Sequence, residues 1–192
     1  MKKIDLHLHL TPFQLPKIGK LNLTSGKNML PHLEELGIEK VPTTWTEVME
    51  IIPILNRENY EFYMPSTRVA TGLNIFQAMV YQKGGDIYLG TEGVDYGVAS
   101  ALYSDEAMEA FKWYTDLFTV HGLEVQADFN NRFRTGEMPM GVTDYTTYCT
   151  LEIFAPEIKG LWSFSPLPGS PVLDENGNIM LDENGDVIVD RL

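Results

Sequence analysis

Short apolar runs alternate with amphipathic helical segments through most of this chain, and this alternation constrains the fold more than any other feature. Residues 138–143 are apolar and predict a buried strand. Residues 104–118 carry apolar side chains at helical spacing. Further helices are predicted at 44–53, 68–82 and 129–134, with a short strand at 86–89. The pattern predicts an α/β fold in which helices pack on a short mixed sheet.

Residues that favour the start or the end of a helix help to predict where the helices begin and end. Thr44 and Glu47 have the spacing of a capping box, so Thr44 should cap the helix that follows. Ser104 is a favoured N-cap for the helix at 104–118. Pro53 lacks a backbone N–H and should end or kink the first of these helices.

Composition excludes several classes of protein. The 192 residues carry a net charge of −13, and a nucleic-acid-binding protein needs a basic surface that this chain lacks. The same charge opposes binding to anionic membranes. No apolar run approaches the ~20 residues of a membrane span. The single cysteine, Cys149, rules out an internal disulfide framework and a Cys-rich zinc site.

Charge and aromatic content change near residue 40. Residues 1–40 have a net charge of +2 from six lysines and four acids, whereas residues 41–192 have −15. Phe13 is the only aromatic residue of the first segment. A strand at 3–10 and a helix at 28–36, ended by Gly37, are predicted there. The basic start is interrupted by Asp5, His7 and His9, so no secretory signal peptide is expected in this chain.

His7 and His9 form a candidate metal site at the predicted N-terminal strand. Residues two apart share one face of a strand, so both imidazoles could bind one zinc ion. The segment 1–40 resembles the start of amidohydrolase-type metal-dependent hydrolases, which implies a zinc cofactor and a truncated hydrolase as an alternative function. Those enzymes are barrels of ~250 residues with further ligands on later strands. The other interpretation is a plain polar–apolar alternation with no site.

The tail contains a tandem repeat. Residues 173–180 read LDENGNIM and residues 181–188 read LDENGDVI. Asn-Gly favours type I′ turns, so two hairpin turns joining three short strands are predicted. The acidic turns also suggest calcium, but the glycine falls at the wrong place for an EF-hand loop. We therefore expect an acidic hairpin tail at 171–192.

Three segments between residues 41 and 170 resemble family 1 extracellular solute-binding proteins of ABC importers. Residues 41–47 read VPTTWTE, similar to the family's P-x-T-W-x-E helix start. Residues 133–142 read FRTGEMPMGV, similar to F-x-x-G-x-x-A-M. Residues 155–162 read APEIKGLW and are followed by PLPG, similar to P-E-x-K-G-x-W and P-L-P-G. The segments occur in the family's order.

The resemblance implies a non-catalytic protein that captures a sugar and delivers it to an ABC transporter permease at the cell surface, with no cofactor. Members of the family have two lobes that close on the ligand by a hinge motion. The resemblance covers most of one lobe, so the chain is expected to be a fragment. Three parts are predicted: an N-terminal segment 1–40, a lobe 41–170 and the tail 171–192.

A candidate ligand site follows the predicted strand at 138–143. Sugar sites combine aromatic platforms with a few hydrogen-bonding groups, and α/β sheets bind ligands at strand ends. Asp144 could accept sugar hydroxyls, while Tyr145 and Tyr148 could stack or donate. The family resemblance adds Trp162. The alternative is that the tyrosines are packing residues of the lobe.

Overall fold

The computed structural model describes residues 8–12, 29–66, 70–91 and 94–190, with the backbone alone for Leu8–Pro12. Short strands are interspersed with helices along the chain. In chain order they are β1 Leu8–Pro12, α1 Leu30–Glu35, α2 Trp45–Arg57, β2 Phe62–Tyr63, α3 Ala70–Gln82, β3 Tyr88–Leu89, β4 Ala99–Ser100, α4 Asp105–Thr119, α5 Phe129–Thr135, β5 Met140–Thr143, α6 Tyr145–Phe154, a 3-10 turn Pro156–Ile158, β6 Trp162–Pro166, β7 Ser170–Pro171 and β8 Val189–Asp190.

The main sheet has four strands in the order β2-β5-β1-β6. β2 and β5 are parallel, whereas β1 is antiparallel to both β5 and β6. The sheet is therefore mixed, which confirms the predicted α/β class. Strand β1 comes from the N-terminal segment and lies between two strands of the segment 41–170. The three-part division of the chain stays a prediction.

Helix capping follows the local sequence. The hydroxyl of Thr44 accepts from the backbone N–H of Glu47, and the Glu47 carboxylate accepts from the N–H of Thr44, so the capping box is confirmed. Ser104 caps α4 in the predicted way. Of the two outcomes expected at Pro53, an end or a kink of α2, the end does not occur, because the helix continues to Arg57. Pro53 lies on the exposed side of α2, and the helix keeps Val48, Ile52 and Leu55 buried.

Two apolar clusters share the buried strand β5. Met140 and Val142 belong to a large cluster with helices α2, α3 and α4. The smaller cluster contains Phe129 and Phe133 of α5. Gly141 faces the smaller cluster, where a Cβ atom would lie 2.6 Å from the Cβ of Tyr63 and 3.0 Å from the Phe129 ring. Only glycine lets strand β5 approach these rings so closely.

The tail forms two hairpin turns, but their type differs from the prediction. Gly177 and Gly185 have positive φ, whereas Asn176 and Asn184 do not, so the turns are not type I′. The N–H of Gly177 donates to the carbonyl of Asp174, which is a type I turn followed by a left-handed glycine. The Asp174 side chain accepts from the N–H groups of Asn176 and Asn178 at 2.8 and 2.9 Å, which favours the type I geometry.

Candidate functional site

Asp144 begins the candidate site as the N-cap of helix α6. Its Oδ1 accepts hydrogen bonds from the backbone N–H groups of Thr146 and Thr147, at 3.1 and 3.2 Å, and from the Thr146 hydroxyl. Its Oδ2 accepts from the hydroxyl of Thr71 on α3, at 2.9 Å. The carboxylate therefore starts α6 directly after β5 and joins it to α3.

These hydrogen bonds set the charge of Asp144. Partial burial acts to raise the pKa of its carboxyl group, but hydrogen bonds from Thr146, Thr71 and the N–H of Thr147 outweigh it, so the pKa lies below the usual value. The residue is a carboxylate at neutral pH. The structure thus uses both oxygens of Asp144 internally, and a sugar hydroxyl would have to share them.

The first turn of α6 presents an aromatic cluster made of Tyr145, Tyr148, Trp162 and Phe164. The Tyr145 and Tyr148 rings are stacked, with centroids 5.4 Å apart. Tyr148 meets Trp162 and Phe164 edge to face, at 5.8 and 5.4 Å, and the two β6 rings are 5.6 Å apart. The structure therefore brings together three of the residues that the sequence singles out for a ligand site.

Exposure differs sharply within the aromatic cluster. Trp162 is only 8% exposed and continues into the smaller core through Phe133, at 6.2 Å. Tyr145 is 62% exposed and Phe164 is 41% exposed. The cluster thus has a rigid buried base and an open upper surface. Such a surface can stack against the apolar face of a sugar ring.

Hydrogen-bonding groups lie within the same cluster. Cys149 raises the pKa of the Tyr145 phenol. The hydroxyl is protonated at neutral pH, as an ordinary tyrosine is, and can donate. The indole N–H of Trp162 is buried and has no acceptor in the part of the chain that the structure describes. The Tyr145 phenol beside the stacked rings is a donor of the kind that orients a hydroxylated ligand, whereas the indole N–H of Trp162 lies below the open surface.

Phe164 is the member of the cluster that sequence reasoning misses. It lies two residues after Trp162 on strand β6, so the two side chains share one face of the sheet. The alternation of aromatic residues and serines at 162–165 carries this signal. It identifies Phe164 only once the segment is known to be a strand.

Metal binding has no support in the described part of the chain. Among the described residues, no group of three or more His, Cys, Asp and Glu side chains is placed to hold a metal ion. His7 lies outside these residues. For His9 only the backbone is described, paired with Val142 and Ser165. No helix that the structure describes is long and apolar enough to cross a membrane.

The fold resembles solved ABC-importer binding proteins. A solute-binding protein from Thermotoga lettingae, bound with α-D-tagatose, matches with a TM-score of 0.64 and 20% identity, over 85% of this chain and 39% of that protein. Maltose-bound MalE3 of T. maritima matches with a TM-score of 0.61 and 20% identity, over 90% and 40%. The cyclic α-maltosyl-1,6-maltose binding protein of Arthrobacter globiformis matches with 0.59 and 19%, over 90% and 38%.

The chain therefore has a partial periplasmic-binding-protein-like fold. It spans about 40% of the length of these neighbours. No family model matches the sequence. No curated protein matches it either. The neighbours are binding proteins, and they give no support to the resemblance of residues 1–40 to amidohydrolases.

Proposed function

We propose that this chain contributes the sugar-contacting surface of an extracellular ABC-importer binding protein. The observation that carries the proposal is the aromatic cluster, because the exposed rings of Tyr145 and Phe164 above the buried Trp162 provide a platform for a sugar ring. It lies directly after β5, at a strand end where α/β folds bind ligands. Asp144, Tyr145, Tyr148 and Trp162 are the proposed contact residues, and Phe164 is added to them.

The fold supports a capture role without catalysis. The neighbours bind tagatose, maltose and a cyclic maltosyl-maltose, which share hydroxyl groups and apolar ring faces. We assign no cofactor to this chain, and its proposed partner is an ABC permease that receives the sugar. A second lobe would supply the other half of the contacts, so the lobe alone should bind weakly.

Calorimetric titration with an oligosaccharide panel tests the proposal. Tyr145→Ala should weaken binding about tenfold, the cost of losing one aromatic platform. Tyr103→Ala is the matched control, because Tyr103 is a 92% exposed tyrosine outside the cluster. Equal effects of the two substitutions, or binding unchanged by Tyr145→Ala, would contradict the proposal. Zinc-dependent hydrolysis that is lost in His7→Ala would favour the hydrolase alternative instead.

A further inference from the structure

A groove lies between helices α5 and α6, away from the aromatic cluster. Its volume is about 340 Å³, within the range of small-molecule sites. One wall is polar and includes Asn130, Asn131 and Arg134 of α5. The other wall belongs to α6 and includes Leu151 and Phe154. The groove therefore has amide and guanidinium groups on one wall and an apolar surface on the other.

Phe154 forms an open aromatic wall. It is 70% exposed, which leaves most of its ring uncovered in the lobe. Phe154 lies nine positions after Tyr145, which places it about 14 Å further along α6 and on the opposite side of the helix. A small ligand on Phe154 cannot also touch Tyr145, and the groove is a separate site.

The polar wall has unused hydrogen-bonding capacity. The Oδ1 atom of Asn130 is buried and receives no hydrogen bond from the described part of the chain. A buried acceptor without a donor is unfavourable, so a turn of the Asn130 amide towards the groove, where a ligand hydroxyl can donate to it, would remove this cost. Thr150, also in the groove, donates its hydroxyl to the carbonyl of Thr146, so its oxygen keeps capacity to accept.

The charges of the groove favour a neutral ligand. Arg134 pairs with the carboxylate of Glu157, and Asp128 also lines the groove. No surplus positive charge is left there for a carboxylate or phosphate. An uncharged molecule with several hydroxyl groups and one apolar face matches both walls.

We propose that the groove between α5 and α6 is a second saccharide-binding site, in which a sugar ring stacks on Phe154 and its hydroxyls bind Asn130 and Arg134. The site is shallow and half open, so its dissociation constant should lie in the millimolar range. It would give the lobe an accessory contact for sugar that does not depend on closure over the aromatic cluster.

Maltose titration followed by ¹H–¹⁵N NMR on the whole chain tests this site. Saturable shifts are expected at the side-chain amides of Asn130 and Asn131 and at the backbone amide of Phe154. Phe154→Ala should raise the dissociation constant obtained from these shifts about tenfold, as expected for the loss of an aromatic platform. Ile153→Ala is the matched control, because Ile153 is 71% exposed on the same turn but does not line the groove.

Three results would overturn the second site: no saturable shift at the groove, equal weakening by Phe154→Ala and Ile153→Ala, or shifts caused by acetate but not by maltose. Both substituted residues are exposed, so thermal unfolding should confirm that each variant folds. Tyr145→Ala separates the two proposals. It should weaken the binding that is measured from shifts at the aromatic cluster about tenfold and leave the binding measured at the groove unchanged. In the wild-type chain, groove shifts without any cluster shifts would disprove only the first proposal.

Discussion

Asp144 shows how one residue joins the sheet, a helix and the proposed ligand surface. Its carboxylate caps α6, receives the hydroxyl of Thr71 and fixes the backbone that carries Tyr145. Its position after β5 made it a candidate for direct sugar contact. Its hydrogen bonds indicate that it also positions the aromatic cluster, so a change at Asp144 should affect stability as well as binding.

The depressed pKa of Asp144 makes part of the stability depend on pH. The unfolded chain binds a proton at this carboxyl at a higher pH than the folded chain, so its stabilising contribution is present above about pH 4 and is lost as pH falls further. Asp144→Ala should lower the free energy of unfolding by about 1 kcal/mol at neutral pH. The difference from wild type should shrink towards about pH 3.

Urea unfolding at a series of pH values measures this difference. Asp144→Asn keeps the capping geometry and removes the charge, so it should cost less than Asp144→Ala at neutral pH. Thr71→Val removes the hydroxyl that donates to Asp144, so the free energy of unfolding should depend less on pH. A stability difference between wild type and Asp144→Asn that stays constant from neutral to acidic pH would contradict this role of the charge.

At the scale of elements, side-chain caps place the starts of the helices. Thr44, Ser104, Asp128 and Asp144 each accept a backbone N–H from the first turn of the helix that follows. Each satisfies a donor that the helix itself leaves unpaired. These are local signals, which explains why the starts of α2 and α4 could be predicted from sequence.

The capping box of α2 gives a direct test at this scale. Thr44→Ala removes the acceptor for the Glu47 N–H and should lower the free energy of unfolding by about 1 kcal/mol. Thr46→Ala is the control, because Thr46 is exposed within the helix and alanine is the better helix former, so stability should stay equal or rise slightly. Chemical denaturation compares the two variants. Equal losses would show that the cap does not stabilise α2.

Contacts between distant residues are what the sequence could not predict. The pairing of β1 with β5 and β6 depends on which strand edges meet, and no local pattern records that. The contact between Phe164 of β6 and Tyr148 of α6 could not be predicted for the same reason, because it depends on how two separate elements meet. The prediction of the turn type in the tail was wrong for a different reason. Asn-Gly is compatible both with type I′ and with type I followed by a left-handed glycine. The strand end with Tyr145 and Tyr148 was predictable because helix, strand and site residues are consecutive.

At the scale of the whole molecule, Arg132 joins three separate segments. Its guanidinium group pairs with Glu61 before β2, Glu124 before α5 and Glu137 before β5, at 3.0, 2.9 and 3.2 Å. The hydrogen bond that Arg132 donates to Glu61 raises the pKa of the guanidinium group, which is permanently charged. The arginine side chain is mostly covered, unlike that of a typical surface ion pair.

Arg132→Gln should therefore destabilise the lobe far more than loss of a surface pair. We expect a loss of about 2 kcal/mol, since charged hydrogen bonds are removed and three carboxylates are left together. Lys112→Gln is the control. It breaks an exposed pair with Asp116 on α4 that should contribute less than about 0.5 kcal/mol. Denaturant unfolding of both variants measures the difference, and similar losses would show that Arg132 is an ordinary surface residue.

The placement of β1 has a consequence for how the chain folds during synthesis. Leu8 pairs with Thr143 on one side and with Pro166 on the other, so β1 has to wait for partner strands that are synthesised long after it. Such distant pairing is slow to form, and strand edges stay open until it does. β5 and β6 have no direct pairing with each other in this sheet. Completion of the sheet therefore has to follow the synthesis of β6, and it depends on β1, which bridges β5 and β6.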